Sequence, residues 1–142
     1  RQIRVEEVDW QKIHLLGDLG PEKLTDYYNL CDVFCMPSYF EAYGLVFAEA
    51  LTYGLPCIGR DKFAMSEFIE DGCTGRLISG EDAEELALDL WEVLRDPKYR
   101  EEVERRREWY LREYSWDKVA QRICSVMEKN ERDKDQYRSA GV

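Results

Sequence analysis

The chain has one histidine, His14, and no Cys-x-x-Cys pair among its five cysteines. A structural or catalytic metal needs several imidazole, thiolate or carboxylate ligands at short spacing, so no metal site is expected. An odd cysteine count gives no disulfide framework either. Cys31, Cys35, Cys57, Cys73 and Cys124 fall mostly in apolar surroundings, where cysteine acts as a small hydrophobe, and a reduced, cytoplasmic protein is the expectation. No apolar run approaches the ~20 residues a membrane span requires, and no signal-peptide pattern is visible. Basic residues are also short: 20 Lys+Arg stand against 30 Asp+Glu, a net charge of −10. A surface of that sign repels nucleic acid and anionic lipid, so neither is expected as a partner. The one basic cluster, "ERRREWYLRE", is interleaved with glutamates and reads as a solvated helix face. Met is absent from position 1; the chain begins with Arg1 and is read as processed or as part of something longer.

What is present is a core-sized store of apolar residues, 44% of the chain, arranged in alternating short runs and helical stretches. "KIHLL" (12–16) predicts a strand. "EKLTDYYNLC" predicts a helix with Pro21 in its first turn and Leu24, Tyr27, Tyr28 and Cys31 on one face. "DVFCMP" (32–37) is a second strand, and "GLVFAEALTYG" (44–54) a helix ended by Gly54. "PCIGR" predicts a third strand, "SEFIED" a short helix, "DGCTG" a turn and "RLIS" a fourth strand. Helices follow: one opened by Asp82 with Glu85 as a capping box, one opened by Pro97, and one capped by Ser115 with an apolar stripe of Trp116, Val119, Ala120, Ile123 and Met127. Residues 1–130 read as one domain and 131–142 as a polar tail expected to fray. Strand–helix alternation at this spacing means an α/β fold, a Rossmann-like parallel sheet with helices on both faces in three layers, α/β/α. Ligands in such sheets bind beyond the carboxyl ends of the strands. The loop 37–43 lies at one such end.

That loop and the helix after it hold two glutamates in an otherwise apolar stretch, "FEAYGLVFAEALTYGLP". Glu41 stands three residues before the helix start at Gly44. There the first amides have no intrahelical acceptor and the helix dipole is positive, a natural cradle for phosphate. Gly44 lets a ligand approach the backbone. Glu49 is mid-helix among Leu45, Val46, Phe47, Ala48, Ala50 and Leu51. A buried, unpartnered carboxylate there costs several kcal/mol, roughly, so Glu49 must meet solvent, a protein donor or a ligand with hydroxyls, such as the vicinal diol of a ribose. Taken alone, the spacing also fits a cap and a solvent-facing helix residue.

"PSYFEAYGLVFAEALTYGLPCIG" resembles the donor-site signature of the retaining, nucleotide-sugar-dependent glycosyltransferases of family 4, which have the GT-B fold (glycosyl transferases group 1). Pro37, Ser38, Glu41, Ala42, Tyr43, Gly44, Leu45, Glu49, Ala50, Gly54 and Pro56 stand at the signature positions. "HLLGDL", "LCDVFCMPS", "EFIEDGCTGRLIS" and "YSWDKVA" resemble further segments, so the likeness runs over roughly residues 12 to 128. It implies that Glu41 meets hydroxyls of the donor hexose near the reacting centre. It implies too that Glu49 holds the ribose, that Ala42, Tyr43, Gly44, Leu45 and Val46 supply backbone donors to diphosphate and sugar, and that the base lies against the loop from Gly17, near Leu19. A nucleoside-diphosphate sugar is then the donor substrate, with no cofactor beside it. Two departures stand out. The family's Gly-Gly-x-Pro-Glu is "FAMSE" here, with Ala64 and Ser66, and only Glu67 matches firmly. Nothing matches the basic Arg and Lys pair that neutralises the diphosphate in the family.

The resemblance therefore implies the donor-binding part of a retaining hexosyltransferase, incomplete on its N-terminal side and lacking the N-terminal acceptor domain, and inactive when isolated. The alternative is a non-catalytic nucleotide-sugar-binding or regulatory module of the same fold; the paired glutamates speak against a nucleotide-sugar epimerase. In the family the strand at 12–16 is an outer one and 32–36 a central one, and the two strands that lie between them are missing here, which would leave a gap in the sheet. Three outcomes are expected for the resulting gap: the first strand moves in to pair, a second chain fills it by self-association through the exposed edge, or the missing strands form a separate piece.

Overall fold

The computed structural model describes residues 9–139. The chain divides into two compact units, Arg1–Leu30 and Cys31–Val142.

In the first unit a 3-10 turn, Trp10–Lys12, leads into a segment without regular structure and then into α1, Pro21–Leu30. The strand expected at 12–16 is not there. Lys12 closes the turn with its amide on the Asp9 carbonyl, 3.0 Å away, and residues 13–16 join no ladder. Leu15 is 83% exposed. A parallel strand holds only against a neighbour that takes its amides and carbonyls. Among the described residues none pairs with this segment, so the expectation that it moves in beside the second strand also fails.

The second unit begins with β1, Phe34–Cys35, and continues through α2, Leu45–Thr52; β2, Cys57–Arg60; α3, Met65–Phe68; β3, Gly75–Ile78; α4, Ala83–Arg95; α5, Lys98–Glu113; and α6, Trp116–Ser139. The strands form a parallel sheet in the order β1-β2-β3. All four residues of β2 are buried, as expected for a central strand covered on both faces. Alternation decides which face each residue meets. On one face Ile58 and Ile78 pack with Val93, Leu86 and Leu90 of α4 and with Tyr99 of α5. On the other, Cys57 points its thiol toward the Phe47 carbonyl of α2. Gly59 leaves so little room that a Cβ would come within 2.8 Å of Ile69 and 3.3 Å of Phe47. The three-layer expectation therefore holds, with α2 and α3 on one side of the sheet and α4 on the other.

The helix boundaries follow local chemistry. Asp82 accepts from the Glu84 amide at 2.9 Å, but Glu85 reaches further back than a capping box requires, onto the amides of Ser79 and Gly80. Arg107 of α5 donates to the Thr52 carbonyl at 2.8 Å and so satisfies the last turn of α2. Ser115 accepts from the Lys118 amide as the predicted cap. The α6 backbone stays helical to Ser139, through most of the stretch where polarity predicts fraying. Its apolar stripe is largely uncovered, with Trp116 88% exposed.

Candidate functional site

The carboxyl ends of β1, β2 and β3 open into the segments 36–44, 61–64 and 79–82. In the first of these, chain direction reverses between Met36 and Gly44. Gly44 is the N-cap of α2 and lies in the left-handed region at φ 77°, a conformation that favours glycine. A Cβ there would also sit 3.1 Å from the Phe47 ring. The first helical bond, from the Phe47 amide to the Gly44 carbonyl, is 2.9 Å. The amides of Leu45 and Val46 precede it in the helix's opening turn, where no intrahelical acceptor exists.

Glu41 folds back over this turn. Its Oε1 accepts from the Gly44 amide at 3.0 Å and from the Tyr43 amide at 3.4 Å. These two bonds across the turn fix the carboxylate at its mouth. Ala42 and Tyr43 are exposed, and the Tyr43 ring meets Phe68 edge-on, 6.0 Å between centroids. Along α2, Phe47, Ala48, Ala50 and Leu51 are buried, whereas Leu45 and Glu49 are exposed. They are one helical turn apart and so share a face. Glu49 is therefore no buried anion: the apolar residues around it in sequence point the other way. Glu41, Ala42, Tyr43, Gly44, Leu45, Val46 and Glu49 thus form one continuous turn-and-helix surface. Gly17 and Leu19 belong to the first unit, where Gly17 takes φ 66°. Leu19 lines an open groove of about 460 Å³ with Asp18, Gly20 and Lys23. Glu67 lines a cavity of about 240 Å³ with Phe68, Arg106, Trp109, Tyr110 and Tyr114.

Three residues of this rim escape a motif-based reading. Arg60 ends β2 and is 5% exposed. Its Nη1 donates to the Gly80 carbonyl and its Nη2 to the Pro37 carbonyl at 3.4 Å, so its guanidinium ties together the segments that leave all three strands. The Tyr39 ring lies over it, 4.6 Å from the guanidinium carbon to the ring centroid. Phe63 takes φ 56°, and its ring meets Phe40 edge-on at 5.2 Å. Arg60 was legible in principle: "PCIGR" puts a full charge in a strand that must be buried on both faces. Phe63 stands where the family pattern has its first glycine, which is the conformational signal for its left-handed backbone.

Residues 6–109 match the family model described as "Glycosyl transferases group 1". The chain is 32% identical over 98 residues to a D-inositol 3-phosphate glycosyltransferase of Kribbella flavida, covering 69% of this chain and 23% of that protein. It is 30% identical over 122 residues to the lipopolysaccharide 1,2-N-acetylglucosaminetransferase of Salmonella typhimurium, covering 84% and 32%. Among solved structures it is similar to the pneumococcal O-GlcNAc transferase GtfA in complex with UDP and GlcNAc, at a TM-score of 0.57 and 28% identity, over 73% of this chain and 23% of that one. The chain spans about a quarter of the length of the curated relatives it matches.

Proposed function

The chain belongs to the glycosyl transferases group 1 family, and on that premise we propose that it is the donor-binding part of a retaining hexosyltransferase. The parent enzyme moves a hexose from a nucleoside diphosphate to an acceptor hydroxyl. The bond between the anomeric carbon and the diphosphate oxygen breaks, a bond to the acceptor oxygen forms on the same face, and the acceptor's proton leaves with the diphosphate. The observation that carries this reading is the turn from Glu41 to Val46. It presents the Leu45 and Val46 amides of a helix start at the carboxyl end of a parallel sheet, the Tyr43 and Gly44 amides being taken by Glu41, with Glu49 one turn further along the exposed face. Amides at a helix start stabilise the charge that builds on a departing diphosphate. Both bonds that Glu41 accepts across the turn end on Oε1, which leaves Oε2 to accept from a hexose hydroxyl without dismantling the turn. Glu49 accepts from the ribose diol. No metal or other cofactor enters this scheme.

In this reading the acceptor-binding half lies outside these 142 residues, the isolated chain does not turn over, and the parent works in the cytoplasm. The relatives' greater length supports the first point. β1 is an edge strand of the described sheet, and its unpaired side is where isolated chains self-associate at micromolar concentration; light scattering that finds only monomers removes this part of the scheme.

Titration of the full-length protein tests the role assignment. Glu49→Ala weakens binding of the bare nucleoside diphosphate, because ribose is present in it. Glu41→Ala lowers turnover by more than it lowers that affinity, because the hexose is not. Equal losses in both variants would refute the assignment. Retained binding with no turnover under any donor and acceptor pair would favour a non-catalytic module.

A further inference from the structure

Arg60 is the best-buried arginine of the described residues, and its side-chain hydrogen bonds go to carbonyls alone. Three other arginines that tie elements together meet carboxylates across the junction: Arg76 lies near Asp89, Asp71 and Glu92, Arg106 near Glu70 and Glu102, and Arg100 near Asp32, while Arg107, which joins the Thr52 carbonyl, has Glu104 beside it. In a chain with ten more acidic than basic residues, a carboxylate is never scarce. Yet no described carboxylate forms an ion pair with Arg60, and its buried Nε–H has no hydrogen-bond acceptor among the described residues. Burying a cation without a counter-charge costs several kcal/mol, roughly, and an unmet buried donor adds about 1–3 kcal/mol. Both penalties fall at the carboxyl end of the central strand, beside the loop that carries Glu41. The Tyr39 ring that covers the guanidinium is itself 67% exposed and sits on that loop, so the cover can be displaced without disturbing the core.

Resting on the donor-site reading above, we infer that Arg60 is an anion receptor of this site, taking one oxyanion of the nucleotide-sugar donor. Two groups on a donor have that chemistry: a phosphate of the diphosphate, or a carboxylate carried by the sugar itself. A guanidinium fork matches either one through paired N–H donors. Anion binding would supply the missing counter-charge and the missing acceptor together.

The experiment compares full-length wild type with Arg60→Gln and Arg60→Lys for binding of UDP, UDP-glucose and UDP-glucuronate, and of the corresponding guanosine series. Arg60→Gln weakens the affected ligands roughly tenfold or more, and Arg60→Lys weakens them less. A loss shared by all three ligands identifies the diphosphate as the oxyanion. A loss confined to the glucuronate identifies the sugar carboxylate, and with it a uronic-acid donor. A folded Arg60→Gln protein that binds every ligand like wild type overturns the inference and leaves the donor reading standing. A wild type that binds neither series overturns both. If the variants do not fold, the Nε–H resonance of Arg60 in arginine-labelled wild type is followed instead. It shifts on saturation with the bound nucleotide sugar, and a resonance that stays in place at saturation overturns the inference.

Discussion

Arg60 and Arg76 stand on adjacent strands of one sheet, where Ile58 pairs with Arg76 and Arg60 with Ile78, yet their surroundings have opposite character. Arg76 reaches from β3 to the buried carboxylate of Asp89 on α4, with Nε 3.0 Å from Oδ1, and Asp71 and Glu92 stand behind. Arg60 has only carbonyls and a tyrosine ring. The flank holding Arg76 also carries capped helices and matched ion pairs. The rim holding Arg60 carries a left-handed phenylalanine, a glycine-dependent turn and four exposed aromatic rings, Tyr39, Phe40, Tyr43 and Phe63. The difference separates two uses of the same residue type: on the flank, charge is spent on joining elements; at the rim, charge and backbone strain are kept where a ligand would relieve them.

Substitutions on the two sides should move stability in opposite directions. The largest effect is expected on the flank. Asp89→Ala removes the buried partner of Arg76 while Asp71 and Glu92 stay in place. A loss of about 2 kcal/mol follows, less than for a fully buried pair because Arg76 is partly exposed. Urea unfolding measures it, and an unchanged midpoint would mean that the pair contributes nothing. At the rim the sign reverses. Phe63→Gly releases a side chain from the left-handed region at the expense of the ring contact with Phe40, for a net gain of about 0.5 kcal/mol. Phe63→Ala, which keeps the backbone penalty and loses the ring, should destabilise; a loss in both variants would show that Phe63 is not strained. The smallest effect is the acid response of the ion pairs that α5 makes. Hydrogen bonding to Arg106 holds the Glu70 carboxyl below its ordinary 4.5, and hydrogen bonding to Arg105 does the same for Glu102. Carboxyls depressed in the folded state contribute stability that is fully present above about 4.5 and is lost as pH falls through their lowered values. Arg106→Gln should therefore lower stability slightly near neutrality, where that contribution is present, and flatten the decline below about pH 4.5, so that variant and wild type converge in acid.

Much of this organisation is legible in the sequence. The β-α alternation from residue 32 onward, the Asp82 and Ser115 caps and the Glu41–Glu49 turn all rest on interactions within a few residues, which local pattern reports well. The segment at 12–16 shows the limit. "KIHLL" is as apolar as a strand should be, but strand character is decided by a partner far away in sequence, and apolarity cannot tell a paired strand from an unpaired one. Arg60 shows a second limit. Its identity is visible, but its isolation depends on which of 30 acidic residues the fold brings near, and that is a tertiary property. Glu49 shows a third: the sequence around it is apolar, and only the helical phase reveals that its neighbours turn inward while it turns out.

The strand order also bears on how the chain acquires its structure. Because β1, β2 and β3 lie side by side in the order in which they are synthesised, each pairing joins residues roughly twenty apart in sequence, and none of the described strands has to insert between two that are already paired. Low sequence separation between partners keeps the loop-closure entropy small and favours rapid folding. The sheet can grow by adding one strand and its crossover helix at a time to an existing edge, from the amino-terminal side toward the carboxyl-terminal side. Vectorial synthesis then matches the order of assembly. β2 is covered as soon as β3 arrives, and the segments that create the rim around Arg60 meet only once the last strand has docked and Gly80 has come within reach.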